Sequence, residues 1–280
     1  MTTSAISLTT FRAEHLAGAA RLSRQANWPH RREDWEMALY LSAGIVAVDA
    51  MASTVLGTIL MTPYKQDVAT INMVIVDEAA RGHGLGRKLM EAAIALAGSR
   101  ALRLIATPEG LPLYEKLGFC QTGSIVQHQG QVRHVEPPPN VRPAEPQEIS
   151  AIVDLDRRAF GADREELLRV VAKVGRLAVL GDNSGIAGFA ALRCFGRGEV
   201  IGPVVAASAE DGKALLAYLM AGRQGHFVRV DTAEPAQLGP WLADQGLARV
   251  DEGIAMQRPV VRRSGAAPFT TFALASQAFG

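Results

Sequence analysis

Between residues 76 and 93 the chain reads VDEAARGHGLGRKLMEAA, and within it Gly82, Gly84 and Gly86 fall at every second position between Arg81 and Arg87. Glycine enters left-handed backbone freely, so such a run lets successive N–H groups turn toward one point. A helix starting there adds a partial positive charge. With two arginines at the same place, the stretch suits a nucleoside triphosphate, a dinucleotide or another pyrophosphate. A plain strand-to-helix turn needs only one glycine. The triphosphate loop requires Gly-Lys followed by a hydroxyl for magnesium, whereas Gly86 is followed by Arg87, Lys88 and Leu89. The dinucleotide fingerprint requires Gly-x-Gly-x-x-Gly and an acid closing the next strand. Here the spacing is Gly-x-Gly-x-Gly, and LRLIAT ends in Thr107.

The elements that aim this turn are legible from periodicity. TINMVIV is β-branched and predicts a strand over 69–76, and RKLMEAAIALA predicts a helix over 86–97 with Leu89, Ala93, Ile94 and Ala97 on one face. Strand 6–10, helices 13–26 and 31–40, and strands 44–49 and 54–62 come before them. A strand at 101–106, a helix at 109–117 and a closing hairpin at 119–135 follow.

Five prolines between 137 and 146, in PPPNVRPAEP, rule out a helix or central strand there and mark a linker. The flanking halves repeat one order of elements. SLTTFRAEHLAGAARLSRQA resembles NVRPAEPQEISAIVDLDRRA; GIVAV and TVLGTIL are echoed by RLAVL and GIAGFAA; LYEKLGF is echoed by WLADQGL. The second half continues with EVIGPVVAA, a helix over 209–221, HFVRVDT and a helix over 236–244. The final AAPFTTFALASQAFG is uncharged and rich in phenylalanine, so it is expected to dock rather than hang free. The expected domains are 1–136, a linker at 137–146, a second domain at 147–263 and a docked tail at 264–280.

Bulk composition narrows the partners. A formal charge of +1 over 280 residues gives no global field for nucleic acid or an anionic membrane. Two cysteines, Cys120 and Cys194, make no disulfide framework, and Cys120 after Gly118-Phe119 is expected to be buried. No signal segment or membrane span is read from the sequence, which predicts a cytoplasmic protein, a possible homodimer, and no metal.

Arg-Gly-x-Gly-x-Gly between a strand and a helix resembles the acetyl-CoA-binding motif of the GNAT superfamily of N-acetyltransferases, with Arg81, Gly84 and Gly86 on the family pattern. PEGLPLYEKLGF, residues 108–119, resembles the family's helix-plus-Gly-Phe segment at the proper distance. The likeness covers residues 1–135 in motif, and the second half only in layout, as in the tandem branch of the superfamily. It implies an α/β fold of two tandem domains, each a mixed, mostly antiparallel sheet flanked by helices. Acetyl-CoA as co-substrate would then lie over Arg81, Gly82, His83, Gly84, Leu85, Gly86 and Arg87, with its acetyl carbonyl on the backbone of Val74, Ile75 and Val76. Tyr114 takes the position of the acid that protonates the departing thiolate.

No general base stands out. Strand 69–76 has no acid or histidine before Asp77, so Trp28, His30, Glu33 and Asp34 are the acceptor-site candidates. Each also has a plain reading as part of a helix start or a core. In the second half the counterpart of the turn, VVAASAEDGKALL, has one glycine and two acids, and Leu242 replaces Tyr114. The expected activity is acetylation of a small-molecule primary amine. A CoA-ester sensor without turnover and a protein N-acetyltransferase are the alternatives.

Overall fold

A computed structural model describes residues 6–182, 185–233, 238–261 and 267–280. The chain forms two compact units, Met1–Leu104 and Ile105–Gly280. In each, a mixed and mostly antiparallel sheet is flanked by helices.

The first unit contains β1 (Ile6–Thr10), α1 (Leu16–Gln25), α2 (Arg32–Tyr40), β2 (Ala43–Asp49), β3 (Val55–Tyr64), β4 (Val68–Val76), α3 (Leu85–Ala97) and the start of β5 (Ala101–Ala106). Neighbouring strands from β1 to β4 are antiparallel. The β4–β5 pair is parallel and limited to Val68–Thr70 against Ala101–Arg103. Helix α3 buries Leu85, Leu89, Met90, Ala93 and Ala97. This is the expected stripe, except that Met90 is buried and Ile94 lies half-buried beside it. Gly57 lets this helix approach the sheet: a Cβ there would lie 2.9 Å from Leu89 Cδ1.

The second unit contains α4 (Leu111–Lys116), β6 (Cys120–Gln131), β7 (Val141–Pro143), α5 (Ile149–Phe160), α6 (Glu165–Val174), β8 (Gly175–Asp182), β9 (Gly185–Phe195), β10 (Gly198–Ala206), α7 (Ala209–Met220), β11 (Phe227–Ala233), α8 (Gly239–Asp244), β12 (Ala248–Arg258) and β13 (Thr270–Ala273). The strands lie in the order β12-β6-β11-β13-β10-β9-β8-β7. The expected start of α8 at residues 236–237 falls outside the described residues.

Three expectations are corrected here. The closing hairpin over 119–135 is a single strand, β6, paired antiparallel to β11 on one edge and to β12 on the other. Gly123 lies inside this strand, where it faces Ala255 beside a register shift. Because both neighbours of β6 come from the second half of the sequence, residues 105–136 fall in the second compact unit. The proline-rich segment is likewise more than a linker. Its Val141–Pro143 pairs with β8 as the last strand of that sheet, a position where a missing N–H is tolerated. Finally, Cys120 at the start of β6 is exposed rather than buried.

The C-terminal residues close the second unit. Leu274, Ala275, Ser276 and Phe279 are buried. Arg193 Nη2 donates to the Ala275 carbonyl at 3.2 Å, and the fully buried Arg164 donates to the carbonyls of Phe279 and Gly280 while pairing with Asp156 at 2.6 Å.

Candidate functional site

Strand β4 is irregular where it leaves β5. Its register with β3 shifts between Thr58 and Leu60, and Met73 adopts φ 52°. A non-glycine residue in left-handed backbone inside a strand marks a β-bulge, which bends the strand and re-aims its end. The Thr58 hydroxyl donates to the Met73 carbonyl at 2.8 Å and holds that bend. Beyond it, Val74, Ile75 and Val76 continue while the parallel pairing to β5 has ended at Thr70. Nothing in the sequence marks Met73, because neither its type nor its neighbours announce a positive φ.

In the turn that follows, two of the three glycines are left-handed, while Gly86 already lies inside α3. Gly82 and Gly84 sit at φ 81° and 74°, and a Cβ at either would point into open space, so backbone conformation is what demands glycine here. Gly84 caps α3, whose first turn carries no acid and no side-chain cap. The first N–H groups of a helix have no intrahelical acceptor, so those of α3 point out of its start. Arg81, His83 and Arg87 are exposed around it. Arg81 Nε donates to the Val76 carbonyl at 3.2 Å, tying the turn to the strand end, and Arg87 pairs with Glu91 at 2.8 Å. This arrangement can hold an anion with backbone N–H groups and flank it with guanidinium charge.

Asp77, the acid at the strand end, is anchored. Arg21 Nη1 meets it at 2.7 Å and the Ala79 N–H donates to it at 3.0 Å. Burial alone would push its carboxyl up, but these bonds and the Arg21 charge hold it below the ordinary carboxylate range. A carboxylate kept ionised this way is a poor proton acceptor near neutral pH.

Two polar side chains on β4 escaped the sequence reading. Asn72 Nδ2 donates to Thr62 Oγ1 at 2.9 Å, and Thr62 in turn meets Ser42 Oγ at 2.6 Å. Asn72 Oδ1 and Thr70 Oγ1 are buried and have no hydrogen-bond partner among the described residues. Buried acceptors left open are costly, and two of them spaced i, i+2 share one face of the strand. A polar residue in a β-branched strand reads as ordinary alternation, so the signal is visible only once burial is known.

The expected acceptor candidates divide. Asp34 is buried in the first turn of α2, and its carboxylate reaches back to accept from the Arg31 N–H at 2.9 Å and from the Arg31 guanidinium. That is a helix-start role. Glu33 is exposed. His30 and Trp28 are half-buried and lie ring to ring at 5.6 Å. Trp35 is fully buried, with Nε1 donating to Ser23 Oγ at 3.0 Å, so it belongs to the core.

Tyr114 lies on α4 in the second unit. It is buried, edge-on to Phe119 at 6.2 Å, and close to Gly110, where a Cβ would fall 2.8 Å from its ring. Burial pushes its phenol up to about 12. Leu242 on α8 repeats its place: the Phe119 and Leu247 N–H groups donate to the carbonyls of Tyr114 and Leu242 in the same pattern.

The second unit's counterpart of the turn is closed. Ser208 caps α7 by accepting the Asp211 N–H at 3.2 Å, and Glu210 and Asp211 occupy the first turn. Two carboxylates at a helix start take up its positive end and repel another anion. Among the described residues no group of acids, histidines and cysteines is arranged to hold a metal, and no helix is long and apolar enough to cross a membrane.

Residues 42–121 match the GNAT acetyltransferase domain, and residues 152–265 match a second domain of that description. The uncharacterised N-acetyltransferase YitH of Bacillus subtilis strain 168 is 29% identical over 278 residues, covering 95% of this chain and 96% of its own length. The fold is shared with a presumptive acetyltransferase of Pyrococcus horikoshii at TM-score 0.81 and 18% identity, over 100% of this chain and 98% of that one. It is also shared with a tandem GNAT protein from the clavulanic acid biosynthesis pathway at TM-score 0.62 and 14% identity, over 90% of this chain and 98% of that one.

Proposed function

The chain belongs to the GNAT acetyltransferase superfamily and carries two of its domains in tandem, and we propose that it transfers an acetyl group from acetyl-CoA to a small-molecule primary amine. The observation that carries this reading is the uncapped start of α3, with Gly82 and Gly84 left-handed and no acid in its first turn. Those N–H groups would receive the pyrophosphate, and Arg81 and Arg87 would add charge. The bulged end of β4 at Val74–Val76 would offer backbone N–H to the thioester carbonyl, where negative charge develops on attack.

The chemistry needs a neutral amine. An alkyl ammonium has a pKa near ~10, and Asp77 is held too low to take its proton, so the neutral fraction or a water relay supplies the nucleophile. Thr70 and Asn72 offer buried oxygen acceptors to N–H donors of the incoming amine. The amine attacks the thioester carbon, the C–N bond forms, the C–S bond breaks, and the nitrogen's surplus proton passes by way of water to the thiolate.

Tyr114 contributes to the last step more as a hydrogen-bond donor than as a full acid. A phenol at about 12 facing a thiol near ~8.5 makes complete proton transfer uphill by roughly 5 kcal/mol. A donated hydrogen bond can still stabilise the departing sulfur.

The missing base and the high phenol pKa give weight to a second reading, a CoA-ester binder without turnover. The two part in one experiment: the protein is incubated with acetyl-CoA and a panel of amines while released CoA thiol and acetylated product are followed. Stoichiometric thiol and acetamide with at least one amine supports the transferase. Tight acetyl-CoA binding without release from any amine supports the binder, and no binding overturns both.

A further inference from the structure

The two units repeat one local frame at their first strand and helix pair. Phe11 N–H donates to the Gly44 carbonyl at 2.8 Å, and Ala144 N–H donates to the Leu177 carbonyl at 2.9 Å. Thr10 faces Ile45 between β1 and β2 as Pro143 faces Ala178 between β7 and β8. The same offset carries Trp35 onto Leu168, Glu36 onto Arg169, Tyr40 onto Lys173 and Ala43 onto Arg176, with no insertion between α2–β2 and α6–β8.

In the first unit this place is packed with rings. Phe11 is 3% exposed and lies 5.8 Å from Trp35 and 5.9 Å from His15. In the second unit alanine replaces Phe11, and Leu168, which replaces Trp35, turns into the core with Val179, Phe189 and Val205. The lost ring volume is not recovered. A cavity of about 580 Å³ opens there, lined by Ala144, Ile149, Ile152, Ala172 and Leu177. Three cations, Arg169, Lys173 and Arg176, line it with a single acid, Glu145. Arg169 is spent on Glu165 at 2.8 Å, whereas Lys173 and Arg176 make no ion pair among the described residues.

Cavities of a few hundred cubic ångströms with apolar walls and a few placed polar groups are the usual form of a small-molecule site. We propose that the second unit binds a small amphipathic carboxylate here, its apolar body against Ala144, Ile149 and Ile152 and its carboxylate between Lys173 and Arg176. Both cations stand where the first unit has Tyr40 and Ala43, so charge and cavity mark the same place in the second unit. Glu145 at the same wall favours a monoanion over a phosphate dianion. The site uses none of the residues assigned to the donor or to Tyr114, so it stands or falls independently of the transferase reading.

The test is calorimetric titration of the full chain with octanoate, octyl phosphate, octanol and octylamine. Octanoate is expected to saturate one site and to bind at least about tenfold more tightly than the alcohol or the amine. Ala144→Phe, which restores the first unit's ring, should abolish binding without lowering the melting temperature. A Lys173→Glu/Arg176→Glu variant changes only exposed side chains, so it tests the site even where Ala144→Phe fails to fold. It should weaken octanoate at least about tenfold and leave octanol unchanged. Equal binding of octanoate and octanol, tighter binding of octyl phosphate than octanoate, octanoate binding that ignores the charge reversal, or no octanoate binding at millimolar concentration would each overturn the proposal.

Discussion

The most instructive contrast lies between the two places where parallel strands part. In the first unit β4 and β5 pair over Val68–Thr70, and β4 then runs on past the bulge at Met73 to an uncapped helix. In the second unit β10 and β11 pair at Glu199–Val200 with Val228–Arg229, and β13 then enters between them. Val204, Val205 and Ala206 of β10 pair with Ala273, Thr271 and Thr270, and Thr232 of β11 pairs with Ala273. Gly202 makes room: a Cβ there would lie 1.8 Å from the Leu274 carbonyl oxygen. Diverging strands leave backbone donors and acceptors that must find partners. In the second unit the chain's own tail supplies them, while Ser208, Glu210 and Asp211 take up the helix start. One architecture thus yields an open end in one copy and a filled one in the other.

If that difference sets where the donor binds, titration with acetyl-CoA gives one site per chain, and Gly84→Glu removes it. The substitution adds a carboxylate and a Cβ at φ 74° where phosphate must approach backbone. Affinity should fall by at least about 100-fold, the cost of one or two charge-assisted hydrogen bonds plus repulsion. Two sites, or an unaltered affinity in a folded variant, would erase the contrast.

Tyr114 and Leu242 offer the next comparison. Tyr114→Phe keeps the ring against Phe119 and loses only the hydroxyl. Turnover with an identified amine should fall by about 10²-fold, the low end for acid assistance because the phenol holds its proton so tightly. Acetyl-CoA affinity should stay within about twofold by the same argument. Because burial keeps the phenol near 12, the rate should show no alkaline loss from this group below about pH 11. Parent turnover in the variant would leave Tyr114 a packing residue.

The filled cleft can be tested at Phe272, which is 7% exposed and sits where a Cβ on Gly212 would be 3.3 Å from its ring. Phe272→Ala should destabilise the protein by about 3 kcal/mol, as expected for a buried ring lost with partial collapse. Chemical denaturation measures it, and donor affinity should not move. A change under about 0.5 kcal/mol would mean that the tail is only laid on the surface.

The smallest effect concerns the helix starts. His15 Nδ1 accepts the Arg12 N–H at 3.0 Å, and at the repeated place Glu148 accepts the Glu145 N–H at 2.8 Å while pairing with Arg142. The Arg142 hydrogen bond, then the Glu145 N–H, draw Glu148 from 4.5 down to about 2. A depressed carboxylate contributes stability that is complete above its unfolded pKa and lost as pH falls through the folded one. The loss therefore runs from about pH 4.5 to about 2. Since Arg142 is partly exposed, Glu148→Gln should cost about 1 kcal/mol or less at pH 7, with the acid limb of the stability curve flattened in that window. Unchanged acid unfolding would assign the pair no weight.

Most helices and strands fall within a few residues of their expected bounds, because β-branched alternation and the Leu89–Ala93–Ala97 stripe are local signals. The glycine turn was equally legible, since left-handed φ is a property of residue type. Where several partners compete, the expectation failed. Residues 119–135 read as a hairpin until two neighbouring strands claim β6, and Cys120 reads as core until β6 is seen to begin at an exposed position. Met73, Thr70 and Asn72 were silent because bulge and burial depend on the strand beside them.

By itself the sequence determined the repeated order of elements, the left-handed glycines at the head of α3, the acids at the head of α7, and the exchange of Tyr114 for Leu242. Each is settled within a few residues by backbone sterics, helix capping or side-chain chemistry. Tertiary structure alone decided that β13 enters between β10 and β11 and that β6 is enclosed by β11 and β12. It also decided that the place with alanine where the first unit has Phe11 holds a cavity edged by Lys173 and Arg176, which make no ion pair among the described residues. Those outcomes depend on which backbone edges and which volumes remain unfilled once distant segments have met, and no local pattern encodes a shortage that arises only on assembly.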